Sequence, residues 1–351
     1  MNEGRTREKP ALRPVVWRPP RRPARARAAY SRVPLPPVRR VPLDGTGPED
    51  VRVDAEGRIL TGVADGRILR LDPAGRRASA VADTGGRPLG LCPLPDGRLL
   101  VCDAERGLLR VEPGSGRVET LLREVAGRPL GVCSNAVVTP DGAVYVTDAS
   151  GRFPLRHWMG DLLEHSGTGR LIRYEPDTGT AEVVLDGLQF ANGVALAPDG
   201  SFLVVAETGA YRLTRLWLTG PRAGERDVFA DGLPGFPDNL STGPGGLIWV
   251  AMAAPRQPAL DLLHRTHPAL RRAAWALPDA LRPGPKATAW VIALDSSGRL
   301  AHDLQRPGGD FRMVTSVCEH DGRLHLGSLT ENAVGVVPMV PEPSVRLSRG
   351  R

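Results

Sequence analysis

Short apolar runs separated by glycine-bearing turns recur along most of this 351-residue chain. The runs 98–102, 143–147, 202–206, 247–252 and 323–327 each follow a turn glycine, and each predicts a strand. A second hairpin comes next, as in 66–73, 107–113 and 169–176. Asp-Gly between apolar runs is a hairpin signal, because glycine takes positive φ at no steric cost. The turn glycines stand at 57, 97, 142, 200, 246 and 322, spaced by 40, 45, 58, 46 and 76 residues. The two long intervals each hold an insertion of different composition, near 151–168 and 253–286, and without it each returns to the low forties. A period of ~40–45 residues with four short strands is the pattern of propeller blades. Six units predict an all-β, six-bladed β-propeller over residues 39–340. The segment 39–43 is expected to pair into the last blade, so that no sheet edge is left open. Within the second insertion, Leu260, Leu263, His264, His267, Leu270 and Ala274 recur at helical spacing over 260–281. That spacing fits a helical lid over one end of the channel or an amphipathic surface helix.

The ends of the chain read differently. Residues 1–38 are rich in Arg, Pro and Ala with little apolar periodicity, the composition of a disordered tail. Residues 341–351 are expected to be a flexible C-terminal tail. Deleting 1–33 is therefore expected to leave folding and any hydrolysis unchanged. The net charge of +7 belongs to the tail: residues 1–40 carry eleven Arg and one Lys against Glu3 and Glu8, or +10, so the remainder sums to −3. Trp17 and Tyr30 are too sparse for a base-stacking platform, and no specific nucleic-acid partner is expected. No apolar run approaches the ~18 residues of a membrane span. Arg and Pro stand where a signal peptide has its apolar region, and Arg21-Arg22 lacks the apolar stretch of a twin-arginine signal. A cytoplasmic monomer is the expectation. Cys92, Cys102, Cys133 and Cys318 show no C-x-x-C spacing and sit in predicted strands, as small buried hydrophobes do.

The repeat also organises candidate chemistry. The innermost strand of each blade lines the channel, so residues at one phase form a ring at one height. Seven or eight positions before each turn glycine stand Glu49, Leu89 or Gly90, Asn135, Asn192, Asp238, and Val314 or Thr315. Two carboxylates and two amides offer hard oxygen ligands, with no His or Cys to suit zinc. This is a calcium set, with magnesium the second choice. A lone Asn or Asp before a strand is ordinarily a turn cap. Four in register are not explained that way.

The strings Gly47-Pro48-Glu49, Gly86-Arg87-Pro88-Leu89-Gly90, Phe190-Ala191-Asn192-Gly193-Val194 and Gly235-Phe236-Pro237-Asp238-Asn239 occur in that order, and Glu319-His320-Asp321-Gly322 with Leu326-Gly327-Ser328 extends the series. Together they resemble the strictosidine-synthase-like family, with its adipocyte plasma-membrane-associated branch, over about residues 40–338. The wider superfamily includes gluconolactonases, paraoxonases and a phosphotriesterase of the diisopropylfluorophosphatase type. The resemblance implies a channel calcium held by Glu49, Asn135, Asn192 and Asp238, with Asn239 as an additional donor. There are departures. The catalytic Glu of strictosidine synthase falls on Thr315, which speaks against amine–aldehyde condensation. The His dyad of paraoxonases falls on Leu89 and Ala104. The Asp that often follows the first Asn is Ala136, so a second, structural calcium is not expected even though Asp50 is present. The membrane-associated relative carries an N-terminal membrane segment that this sequence does not show.

The expected function is calcium-dependent hydrolysis of a small-molecule lactone or aryl ester. Asp238 and Glu49 are the candidate catalytic residues, Asp238 as general base. A non-catalytic propeller with structural calcium, or a condensing enzyme, are the alternatives.

Overall fold

The computed structural model describes residues 9–23, 33–278, 284 and 286–339. Six antiparallel sheets, which we number as blades 1 to 6, span 51–83, 88–122, 133–188, 191–230, 235–307 and 314–338. The inner strands Val51–Val53, Pro88–Pro93, Cys133–Val138, Ala191–Leu196, Gly235–Thr242 and Val314–His320 pack side by side around a channel. Apolar residues of adjacent blades fill the space between sheets, as where Leu60 and Ile68 of blade 1 join Leu91, Val101 and Leu109 of blade 2.

The ring closes as the sequence predicts. Arg39–Pro42 pairs antiparallel with Ala333–Pro338, so one strand from before blade 1 completes blade 6. That pairing satisfies an edge that would otherwise be open to other chains. Each cysteine lies in a strand and is a free thiol.

Two expectations need correction. The tail assigned to residues 1–38 is ordered in large part. Val33–Pro34 adds a parallel fifth strand to blade 5, and Leu35 is buried with Leu304 and Phe311. Residues 9–23 lie against the two insertions in an extended path, with Leu12 buried beside Phe153 and Trp275. Prolines prevent this segment from pairing with itself, so its backbone groups bond instead to groups distant in the chain. Residues 1–8, 24–32 and 341–351 of the expected tails lie outside the described residues.

The helical insertion is also not one helix. The first insertion carries α1 (Trp158–Glu164), and the second carries α2 (Pro258–Arg265) and α3 (Pro268–Ala276). The break falls at Thr266–His267 because Pro268 cannot continue a helix but suits the first turn of the next. His267 caps α3, its Nδ1 accepting from Ala269 N at 3.2 Å. The remainder of the predicted helix, 279–281, lies outside the described residues. Leu260 and Leu263 of α2, with Ala274 of α3, face the mouth of the channel, so the lid reading is the one the packing favours.

Candidate metal centre and its cavity

All the ring residues but Glu49 sit where an inner strand slips out of register. The ladder shifts between Cys133 and Ala136, between Ala191 and Val194, and between Pro237 and Leu240. Asn135, Asn192 and the pair Asp238-Asn239 occupy those three bulges. A bulge releases side chains from strict alternation and re-aims them, here toward the channel axis. Glu49 arrives just ahead of Val51–Val53. Two glycines permit the crowding. A Cβ on Gly90 would stand 2.7 Å from Asn135 Cα, and one on Gly193 would stand 2.5 Å from Asn239 Cα. No larger residue fits at either place without displacing a ring amide.

The structure brings all five predicted residues together. Asn135 Nδ2 donates to Asn239 Oδ1 at 2.9 Å, and Asn239 Nδ2 donates to Glu49 Oε1 at 2.9 Å. Asn239 is thus an amide bridge between two ring members, with both ends engaged. Ser134 Oγ donates to Asn192 Oδ1 at 3.0 Å, and Asn192 Nδ2 donates to Thr208 Oγ1 at 3.3 Å. Thr208 Oγ1 in turn donates to Pro237 O at 2.7 Å, next to Asp238. Thr147 Oγ1 donates to Asn192 O at 2.5 Å, and Thr315 Oγ1 donates to Glu49 O at 2.7 Å. The sequence placed Thr315 at the ring's phase but gave its hydroxyl no role, and the hydroxyls of Ser134, Thr147 and Thr208 escaped it altogether. Ser and Thr are ordinary strand residues, and nothing local marks one whose partner lies in another blade.

Three ring oxygens have no hydrogen-bond partner: Glu49 Oε2, Asn135 Oδ1 and Asp238 Oδ1. All three are buried, and they come from blades 1, 3 and 5. Burial pushes the Glu49 carboxyl well above its ordinary range, with Asp238 and Asp50 adding to the effect. Burial likewise pushes Asp238 up to about 8, against an opposing contribution from the Asn192 amide. The nearest cation, the Arg87 guanidinium, is spent on Gly47 O at 2.8 Å. Buried carboxylates without counter-charge, beside an orphaned amide oxygen, are costly unless something positive is shared among them. The set fits one divalent cation of the calcium type. It rests on amides as much as on acids: among the described residues no three His, Cys, Asp or Glu side chains converge.

Below the ring, Asp50 is fully engaged. It accepts from Val51 N and Leu91 N, and from Arg52 Nε at 3.0 Å. The Arg52 guanidinium also reaches Leu91 O at 3.1 Å and Leu240 O at 3.2 Å, spanning blades 1, 2 and 5. A protein cation therefore balances Asp50 from inside the channel.

Above the ring lies a cavity of about 210 Å³. Its floor is polar: Glu49, Ser134, Asn192, Thr208, Asp238 and Thr315. Its walls are apolar, drawn from the propeller rim (Leu89, Phe190, Phe236) and from the insertions (Trp158, Leu162, Leu260). Phe190 and Met313, both on the wall, hold left-handed backbone with φ of 60° and 51°, a strain that persists only where the surroundings impose it. His264 and His267, the histidines of the second insertion, do not line the cavity. His264 is buried under Trp17, where burial holds its ring neutral with a pKa of about 3, and His267 is an exposed cap.

Two segments match described families: residues 35–71 match the strictosidine synthase-like N-terminal domain, and residues 135–221 match strictosidine synthase. Protein STRICTOSIDINE SYNTHASE-LIKE 10 of Arabidopsis thaliana is 36% identical over 335 residues, covering 87% of this chain and 89% of that one. The chain belongs to the strictosidine synthase-like family. Another relative in this family, the adipocyte plasma membrane-associated protein of Salmo salar, is 35% identical over 306 residues, covering 80% of this chain and 73% of its own. The fold is shared more widely. A gluconolactonase from Xanthomonas campestris superposes with a TM-score of 0.62 at 20% identity, covering 95% of this chain and 99% of its own. The calcium-binding protein regucalcin from Agrobacterium tumefaciens does so with a TM-score of 0.62 at 15% identity, covering 88% of this strictosidine synthase-like chain and 95% of its own. At these identities the likeness shows the six-bladed fold and nothing about activity. Among the described residues no helix is long and apolar enough to cross a membrane.

Proposed function

We propose that this strictosidine synthase-like protein is a calcium-dependent hydrolase of lactones or aryl esters. The observation that carries the reading is the trio of unpartnered, buried oxygens on Glu49, Asn135 and Asp238, two of whose residues, Glu49 and Asp238, form part of the floor of an apolar cavity. The ligands would be Glu49, Asn135, Asn192 and Asp238, with Asn239 fixing the orientation of two of them. A divalent cation there supplies a Lewis acid for the substrate carbonyl and for the oxyanion that follows. The protein's own groups do the rest. Apolar walls seat the acyl or aryl part and exclude bulk water. Ser134 and Thr208 hold the Asn192 amide in place. Asp238 takes the proton of the attacking water: it shares with Glu49 a raised basicity, an unpartnered oxygen and a place on the cavity floor, whereas Glu49 gives its other oxygen to the Asn239 side-chain amide. Thr315 donates to the Glu49 backbone and carries no acid, which leaves the condensing chemistry of the family's namesake without its carboxylate.

The regucalcin relative in fold, named as a calcium-binding protein, and the gluconolactonase both agree with this choice of ion and reaction. The test is a panel of lactones and aryl esters on the purified protein, with calcium and with chelator. Calcium-dependent turnover of at least one class is expected. Bound calcium without any turnover would leave the protein a calcium-stabilised binding scaffold and overturn the enzyme reading. Replacement of Glu49 by Gln removes one of only two balancing charges and should weaken calcium binding by roughly 10-fold or more, the scale seen for perturbed metal sites. Calorimetric titration of the metal checks this, and an unchanged affinity would exclude Glu49 as a ligand.

A further inference from the structure

The cavity's roof is built from two insertions that belong to different blades. One follows blade 3's second strand and carries α1, and the other follows blade 5's second strand and carries α2 and α3. Residues 9–23 cross both. Toward the first insertion, Arg13 N donates to Glu164 Oε2 at 2.6 Å, Val15 N donates to Glu164 O at 2.9 Å, and Ala11 O accepts from Arg152 Nη2 at 3.1 Å. Toward the second, Trp17 N donates to His264 O at 3.0 Å. Trp275 Nε1 donates to Pro10 O at 2.9 Å, Arg271 Nη2 to Val15 O at 2.8 Å, and Arg256 Nη2 to Pro20 O at 2.8 Å. Proline-rich, extended backbone leaves its carbonyls unpaired, and arginines of the roof supply the missing donors.

Trp17 is the pin. Its ring stacks on His165 with centroids 3.9 Å apart at 20°, meets His264 edge-on at 5.2 Å, and lies 5.9 Å from Tyr211. His165 follows α1 in left-handed backbone, and His264 is on α2, so this one indole touches both halves of the roof. It also packs on the apolar cluster that supplies the cavity wall, including Leu162, Phe190 and Phe236. Both histidines are held neutral by burial, with pKa values of about 3, so the stack carries no charge at physiological pH.

We infer that residues 9–23 are a strap that clamps the two insertions into one roof, with Trp17 as a specificity-determining residue that, through α1 and α2, keeps the roof closed over bulky apolar acyl or aryl groups. Trp17 acts through α1 and α2 and does not touch the reacting atoms, so it is a positioning residue. Only the substrate half of this inference rests on the hydrolase reading.

The experiment uses the full chain with Trp17→Ala and Trp17→Phe. Trypsin cleavage at Arg265 and Arg272, both exposed on the roof helices, is followed by mass spectrometry without any substrate. Trp17→Ala should speed cleavage there by roughly 10-fold, because local opening sets the rate, while Trp17→Phe, which keeps a stacked ring, stays near the parent. In the presence of calcium, KM for 2-naphthyl hexanoate should rise roughly 10-fold in Trp17→Ala and less than about 3-fold for phenyl acetate, with kcat little altered for either, as lost apolar contact predicts. Unaltered cleavage in Trp17→Ala overturns the strap. Equal KM changes for the two esters overturn the specificity role. If no ester is turned over by the parent, the hydrolase reading has failed on its own, and accelerated cleavage at Arg265 and Arg272 still supports the strap.

Discussion

Asp238→Asn, measured at calcium high enough to saturate the site, should lose roughly 10²-fold or more in turnover, the scale of general-base catalysis. The substitution keeps the size of the side chain and one ligand oxygen, but removes a charge and the carboxylate lone pair proposed to take the proton. Asn192→Asp is the matched control. It adds a charge at a position whose oxygen is already held by Ser134, so calcium should bind as well or better while the rate changes modestly. Both variants must be compared at saturating metal, because a lost ligand and a lost base look alike when the site is half empty. If Asp238→Asn recovers full turnover once calcium is raised, Asp238 is a ligand only. His264 and His267 would not then be the next candidates, since neither lines the cavity. The remaining sources of water activation would be Glu49, whose Oε2 is also unpartnered at the cavity floor, and the ion itself.

The second large effect is structural. Asp148→Ala should destabilise the folded protein by about 3–5 kcal/mol, as removal of one partner of a buried ion pair does. Arg170 donates to Asp148 Oδ2 through both Nε, at 3.0 Å, and Nη2, at 2.5 Å, and the two side chains are almost wholly buried. The other oxygen, Oδ1, accepts from Gly131 N and Val132 N, each at 2.9 Å. This carboxylate therefore ties the end of one strand of blade 3 to the backbone that leads into the inner strand bearing Asn135. Alanine would strand a buried guanidinium and two backbone N–H groups at once. For a chain of this size the loss corresponds to roughly 4–7 °C in Tm. Asp148→Asn keeps an acceptor for the two N–H groups and should cost less. A change of under about 1 kcal/mol in chemical denaturation of Asp148→Ala would show that the pair is balanced by desolvation and contributes little. Calcium affinity should fall along with stability, because Asn135 hangs from the same strand.

The blades and the ring were legible in the sequence because both are periodic. A glycine at each Asp-Gly or Gly-Gly turn must take positive φ, as Gly97, Gly142 and Gly200 do, so the turns mark the repeat whatever the rest of the chain is. Counting from those turns reached Glu49, Asn135, Asn192 and Asp238, and the folded chain brings all four to one level. The count tolerated a one-residue slip because the bulges at these positions break strand alternation, and no local pattern announces a bulge. Three further features were decided only by tertiary structure. The hydroxyls of Ser134, Thr147, Thr208 and Thr315 matter through partners in neighbouring blades, a choice made by how the blades stack. Arg52 is one more arginine in the sequence, and only the closed channel makes it the counter-charge of Asp50. Residues 9–23 have the composition of a solvated tail, and they lack the apolar periodicity by which a sequence shows that it packs. Their bonds run to Glu164, His264, Arg271 and Trp275, more than a hundred residues away. Short-range pattern reports what the backbone can do by itself, whereas an extended, proline-rich segment acquires its order from the surface it meets.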